Sequence, residues 1–170
     1  MEISEALESA INEQIGIELS ASNAYLSMAA FFERNAYDGF SQWMRLQCEE
    51  ERAHAMKFYQ YLIDRGGVVR LPAVEAPEWN YESVLKVFES SLEQEREVTK
   101  HIYGLYKIAQ DESDFATVSF LKWFVDEQVE EEKVVSDMID KLKMAGDNSD
   151  SMLLLDRYAL DQRVEASTEE

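Results

Sequence analysis

Residues 49–58 read EEERAHAMKF and place Glu51 and His54 three apart in a run that otherwise reads as helix. At that spacing two side chains leave the same helix face, so a carboxylate and an imidazole can reach one ion. A lone Glu-x-x-His is most often a coincidence on a solvated surface. It gains weight from what interrupts the other apolar stripes, which advance by alternating threes and fours. The first reads Ile11, Ile15, Glu18, Ser22, Tyr25, Ala29, Phe32, and the second Phe40, Met44, Gln47, Glu51, His54, Phe58, Tyr61. The third reads Phe88, Leu92, Glu95, Thr99, Ile102, Tyr106, Ala109, and the fourth Leu121, Phe124, Gln128, Glu131, Val135, Met138, Leu142.

Each stripe is apolar at both ends and polar near its middle. Packed together, they bring Glu18, Glu51, His54, Glu95, Gln128 and Glu131 into one interior layer. Several ionised carboxylates there would be prohibitive without a compensating cation, and no Lys or Arg occupies these central positions. Glutamate oxygens and one imidazole suit iron, manganese or zinc. The layer offers no thiolate, which speaks against an iron–sulfur cluster or a Cys-rich zinc site.

Other residues carry less. Tyr25 lies on the face of Glu18. It is either a core tyrosine bonded to a glutamate or a group that donates an electron or orients a ligand. His101 lies beside its stripe and reads as a surface or interface residue. Trp43 and Trp123 read as packing residues. Of Glu130 and Glu132, at least one is expected in solvent. The Met residues show no haem-ligand spacing.

The elements that must hold this layer are four long helices, over about 4–35, 39–65, 80–110 and 114–145, and a shorter one over about 151–162. Asn80 is a plausible N-cap for the third. Only 6 Gly and 2 Pro punctuate the chain. Both prolines fall in VVRLPAVEAPEW, the one long irregular stretch. Tight turns join the first and second helices, and the third and fourth, as two antiparallel hairpins. The long connection between the pairs gives an all-α four-helix bundle with one long crossover and a short fifth C-terminal helix, the ferritin-like arrangement. The whole chain, 1–170, is expected to be a single domain, with a disordered tail, VEASTEE.

The chain is 46% hydrophobic and 30% charged, with a formal net charge of −19. Such a surface repels nucleic acid and anionic membrane. It suits cations, or merely solubility. The single Cys48 excludes an internal disulfide framework and favours a reducing compartment, the cytoplasm. The N-terminus has no signal or transit character, although a plastid origin stays open if a transit peptide was removed. No apolar run reaches membrane-spanning length.

From Ile3 to about Gln162 the chain resembles the non-haem, bacterial-type ferritins. The likeness rests on Glu18 with Tyr25, on EEERAH, on EQEREVTKHI and on FLKWFVDEQVEEEKVVSDMIDKL. It implies that Glu18, Glu51 and His54 hold a first iron. Glu51 would bridge to a second iron held by Glu95, with Gln128 near dioxygen or a water. Glu127, Glu131 and Glu50 would hold a third iron, and Tyr25 would stand beside the centre. It further implies a ferroxidase: oxidation of Fe(II) to Fe(III) with O2 or H2O2, and storage as ferric mineral in a 24-subunit shell with the last helix at the fourfold axes. Haem-containing bacterioferritins carry a second Glu-x-x-His where this chain reads Glu127-Gln128-Val129-Glu130. They also carry a methionine where Arg52 stands, so no haem is expected. The acidic threefold-pore pair of animal ferritins is replaced by Val118 and Leu121, leaving Asp111, Glu112 and Asp114 as nearby candidates for iron entry.

Three rivals are weaker. A rubrerythrin-type di-iron oxidase or peroxidase would show more symmetric ligands and often a Cys-rich iron site. A mini-ferritin would place iron between subunits and lack the fifth helix. A non-catalytic helical module would carry its charges off the apolar stripes.

Overall fold

The computed structural model describes residues 3–146 and 148–166, all in helices or irregular connections. The helices are α1 (Glu5–Arg34), α2 (Asp38–Asp64), α3 (Val84–Asp111), α4 (Phe115–Ala145) and α5 (Ser149–Ala166). None is long and apolar enough to cross a membrane.

Side-chain caps set three of the starts. Ser4 Oγ accepts from the Leu7 N–H at 3.1 Å, Ser83 Oγ from Lys86 N–H at 3.2 Å, and Asp114 Oδ1 from Thr117 N–H at 3.1 Å. Each satisfies a donor that the first helical turn leaves open. The cap of α3 is thus Ser83 and not Asn80. α5 starts earlier and ends later than its sequence pattern suggests. It includes 164–166, the start of the expected tail, while 167–170 lie outside the described residues.

α1 packs along α2, α3 along α4, and α1 against α3. Larger side chains join α2 to α4: Phe58 stacks on Phe124 at 4.1 Å between centroids, and Tyr61 on Phe120 at 3.9 Å. The crossover is tied along α1. Asn12 donates to the Val68 carbonyl (2.9 Å) and accepts from the Arg70 N–H (2.6 Å), and Ser27 Oγ donates to the Glu78 carbonyl (2.7 Å). The helix rises about 22 Å from Asn12 to Ser27, within the roughly 33 Å that residues 68–78 span when extended. This is how the chain returns from the end of α2 to the start of α3. Gly16 permits the approach, since a Cβ there would lie 2.3 Å from Pro72 Cγ.

The apolar interior falls into two clusters. One holds Leu7, Ile11, Ile15, Phe58, Ile102, Leu121 and Phe124 among others. The other holds Phe32, Phe40, Trp43, Phe88, Met138 and Leu142 among others. Between them lies the polar layer. Asp114, one of the residues named above for iron entry, caps α4 and binds Arg65 at 2.8 Å, pinning the end of α2 to the start of α4. This ion pair holds its carboxyl below the usual range.

α5 is fixed by a contact that local sequence does not announce. Tyr37 gives α2 no side-chain cap. Instead the buried Asp156 carboxylate of α5 accepts from Gly39 N–H (3.1 Å) and Phe40 N–H (2.8 Å). An anion at a helix N-terminus also meets the positive end of the macrodipole. A Cβ at Gly39 would lie 1.8 Å from the Asp156 carbonyl oxygen. Asp156→Ala is therefore expected to destabilise the fold by about 1–2 kcal/mol. Gly39→Ala is expected to detach α5 outright. Thermal unfolding and limited proteolysis at α5 check both; unchanged protease resistance would refute the latch.

Candidate metal centre

The spacing in α1 and α2 puts three donors in one place. Glu18, Glu51 and His54 each offer a ligand atom, and these atoms all lie within 4.8 Å of one another. All three are buried, at 0%, 1% and 5% exposure. His54 Nδ1 stands 3.4 Å from Glu51 Oε2. Edge-on packing of Trp123 (5.4 Å) and Phe124 (5.8 Å) holds the imidazole ring. Trp123 therefore packs as expected, yet it is 39% exposed and lies against a candidate ligand.

The opposite hairpin supplies Glu95, Gln128 and Glu131, also buried. Gln128 Nε2 lies 3.3 Å from Glu95 Oε2 and 3.2 Å from Thr99 Oγ1. The Tyr25 hydroxyl donates to Glu95 Oε1 and lies 2.9 Å from Ser91 Oγ. The tyrosine is thus buried and bonded to a glutamate of the layer. Glu131 accepts from Gln47 Nε2 at 2.9 Å. Glu127 and Glu50 stand at the edge of the layer, only partly buried. His101 is exposed, as expected. Glu132, half-buried, accepts from Thr99 Oγ1 at 2.7 Å.

Sequence reading missed Gln14, which is buried and donates from Nε2 to Glu18 Oε1 at 2.8 Å. It also passed over Gln47, Ser91 and Thr99. Gln47 and Thr99 were visible on their stripes. Gln14 sits one turn before Glu18, the one signal that pointed to it.

Charge here is uncompensated. Both Glu51 oxygens and Glu18 Oε2 accept no hydrogen bond among the described residues. Among the described residues, no Lys or Arg forms an ion pair with Glu18, Glu51, Glu95 or Glu131. Burial, then the Glu51 charge, pushes the Glu18 carboxyl well above its usual range. Burial, then Glu95, does the same to Glu51. Glu95 is pushed from 4.5 to about 7 by burial and then Glu131, and Glu127 rises for the same two reasons. Burial, then Glu95, also raises the Tyr25 phenol, which stays protonated. A divalent cation would reverse this balance. The orphaned oxygens are hard anionic donors facing one imidazole, the donor set that iron, manganese and zinc accept.

Without a metal, these carboxyls bind protons more tightly folded than unfolded. Their contribution is fully present below about pH 4.5 and is lost as pH rises through about 7, the folded value for Glu95. The apo protein is therefore expected to lose stability on the order of a few kcal/mol from about pH 5 to about pH 8. Glu51→Gln should flatten that slope, as should added divalent cation. Thermal melts across pH check this; a flat apo profile would refute uncompensated burial.

Comparison with known proteins places this layer in context. The family model Ferritin, described as a ferritin-like domain, matches residues 8–145. A bacterial non-heme ferritin of Staphylococcus aureus (strain USA300) is 42% identical over 155 residues, covering 91% of this chain and 93% of that one. The bacterial non-heme ferritin of Staphylococcus epidermidis matches to the same extent. The open pore ferritin of the hyperthermophilic archaeon Archaeoglobus fulgidus superposes with a TM-score of 0.92 at 44% identity, covering 94% of this chain and 98% of that one. With the profile, the identity and the fold all in agreement, the chain belongs to the ferritin family.

Proposed function

We propose that this protein stores iron, taking up ferrous ions as substrate in the polar layer, oxidising them and releasing ferric product into a hollow shell. The observation that carries this reading is the buried Glu18–Glu51–His54 cluster, with its orphaned oxygens and, among the described residues, no Lys or Arg to balance them.

In this reading Glu18, Glu51 and His54 bind the first iron. Glu51 extends its second oxygen to the other iron, which Glu95 holds. Gln128 donates to Glu95 and orients it. Glu131, Glu127 and Glu50 form a third, more open site at the edge of the layer. Tyr25 holds Glu95 through its hydroxyl. Anionic oxygen ligands favour the ferric ion, so binding drives oxidation. Two ferrous ions each lose one electron. Dioxygen takes the pair with two protons and becomes hydrogen peroxide, or hydrogen peroxide takes the pair with two protons and becomes two waters. The neutral Gln128 leaves the second iron with less negative charge than a carboxylate would, which lets product leave.

A shell of 24 subunits with α5 at the fourfold axes, a cytoplasmic location and no haem complete the proposal. It draws on the family and, for haem, on Arg52 and on Gln128 and Glu130 in α4.

Stopped-flow absorbance after adding two ferrous ions per subunit aerobically should show a fast ferric signal that Glu51→Ala with His54→Ala slows by about 100-fold or more. Equal, slow oxidation in both would end the ferroxidase reading. Gel filtration of the same samples should elute far above the 19.7 kDa of one chain. Gln128→Glu should turn over more slowly after the first ions are oxidised, because ferric product is retained; unchanged repeated turnover would refute that role.

A further inference from the structure

Three buried glutamines surround the carboxylates, and each gives an N–H to a different one. Gln14 donates to Glu18 Oε1 at 2.8 Å, Gln47 to Glu131 Oε2 at 2.9 Å, and Gln128 to Glu95 Oε2 at 3.3 Å. None of the three amides donates to Glu51. Gln14 and Gln47 are 1% and 0% exposed, and the Oε1 atom of each has no hydrogen-bond partner among the described residues.

Stability alone does not explain these two amides. A buried amide oxygen without a partner carries an uncompensated desolvation cost. A methionine of similar length would fill the space without that cost. The amides offer orientation without charge. One N–H fixes one oxygen of the carboxylate and leaves the other free, as Glu18 Oε2 is. A lysine or arginine would also hold the carboxylate, but its charge would cancel the attraction for an incoming cation. A carboxylate in the same place would repel its neighbour. A neutral donor alone both orients the ligand and preserves its negative charge.

We propose that Gln14 and Gln47 are positioning residues of the centre. Gln14, one turn before Glu18 on α1, fixes that glutamate; Gln47, on α2, reaches across the bundle to fix Glu131 on α4. Glu51, undonated, keeps both oxygens free to reach either ion. This rests on the reading of Glu18, Glu51 and His54 as an ion site given under Proposed function.

The test is calorimetric titration of redox-inert Zn2+ into the assembled apo protein, beside thermal melts of the same samples. Wild type should bind zinc in a manner lost in Glu51→Ala with His54→Ala; failure there overturns the ion site itself. Gln14→Met should weaken that zinc site by about 10-fold while moving the apo melting temperature by less than about 4 °C. Gln47→Met should spare this site and lower zinc occupancy at Glu131. Gln14→Asn keeps the amide but lacks its reach. It should bind as weakly as Gln14→Met, and it decides the matter if the methionine variant fails to assemble. Wild-type zinc affinity in the Gln14 variants overturns the inference. So does a loss of affinity matched by a collapse of the melting temperature, which would mark a residue that merely packs.

Discussion

Several carboxylates confined to one dry layer of a helix bundle cannot all carry charge without a cation beside them. That constraint governs the rest of this structure. Glu18, Glu51, Glu95 and Glu131 are buried, and among the described residues no basic side chain is paired to them. The apo protein meets the constraint by holding protons, as the raised Glu18, Glu51 and Glu95 carboxyls record. A bound metal would meet it by supplying the missing charge. In the proposed reading the layer that weakens the empty bundle is also the layer that binds, which would couple stability and affinity through one set of side chains.

Such a layer needs a rigid frame, because carboxylates left mobile would swing apart or draw in water. The frame is two apolar clusters, one at each end of the bundle, with the polar residues between them. Aromatic stacking of α2 on α4 closes one end, and the Arg65–Asp114 pair pins it. At the other end the Asp156 carboxylate of α5 stands in for the missing cap of α2. The crossover lies against α1, where Gly16 admits Pro72. Each device acts at a distance from the polar layer and fixes the register of a helix that contributes a side chain to it.

Within the layer, amides do what lysine or arginine would do in an ordinary buried ion pair. They satisfy part of each carboxylate and leave its charge in place. The hydroxyls of Tyr25, Ser91 and Thr99 extend the network on the α3 side. Of Glu18, Glu51, Glu95 and Glu131, Glu51 is the one that no amide or hydroxyl among the described residues donates to, and it stands next to His54.

The tight turns gave the hairpin pairing, and the periodicity of apolar residues was enough to place the long helices and the six polar positions that share the interior. Local spacing decides these, since residues three and four apart must share a helix face. Glu51 with His54 needed nothing more. The start of α3 was misread because Asn80 and Ser83 are both good caps, and only the path of the crossover selects between them. Asp156 was not legible at all, since its partners, Gly39 and Phe40, lie more than a hundred residues away along the chain. Gln14 and Gln47 looked like ordinary polar residues because amides carry no charge pattern. Which carboxylate each one holds depends on how the helices rotate and slide against each other. Sequence determined which side chains face inward; tertiary packing decided which of them touch, because contact across a bundle depends on register, and register is set by the core as a whole.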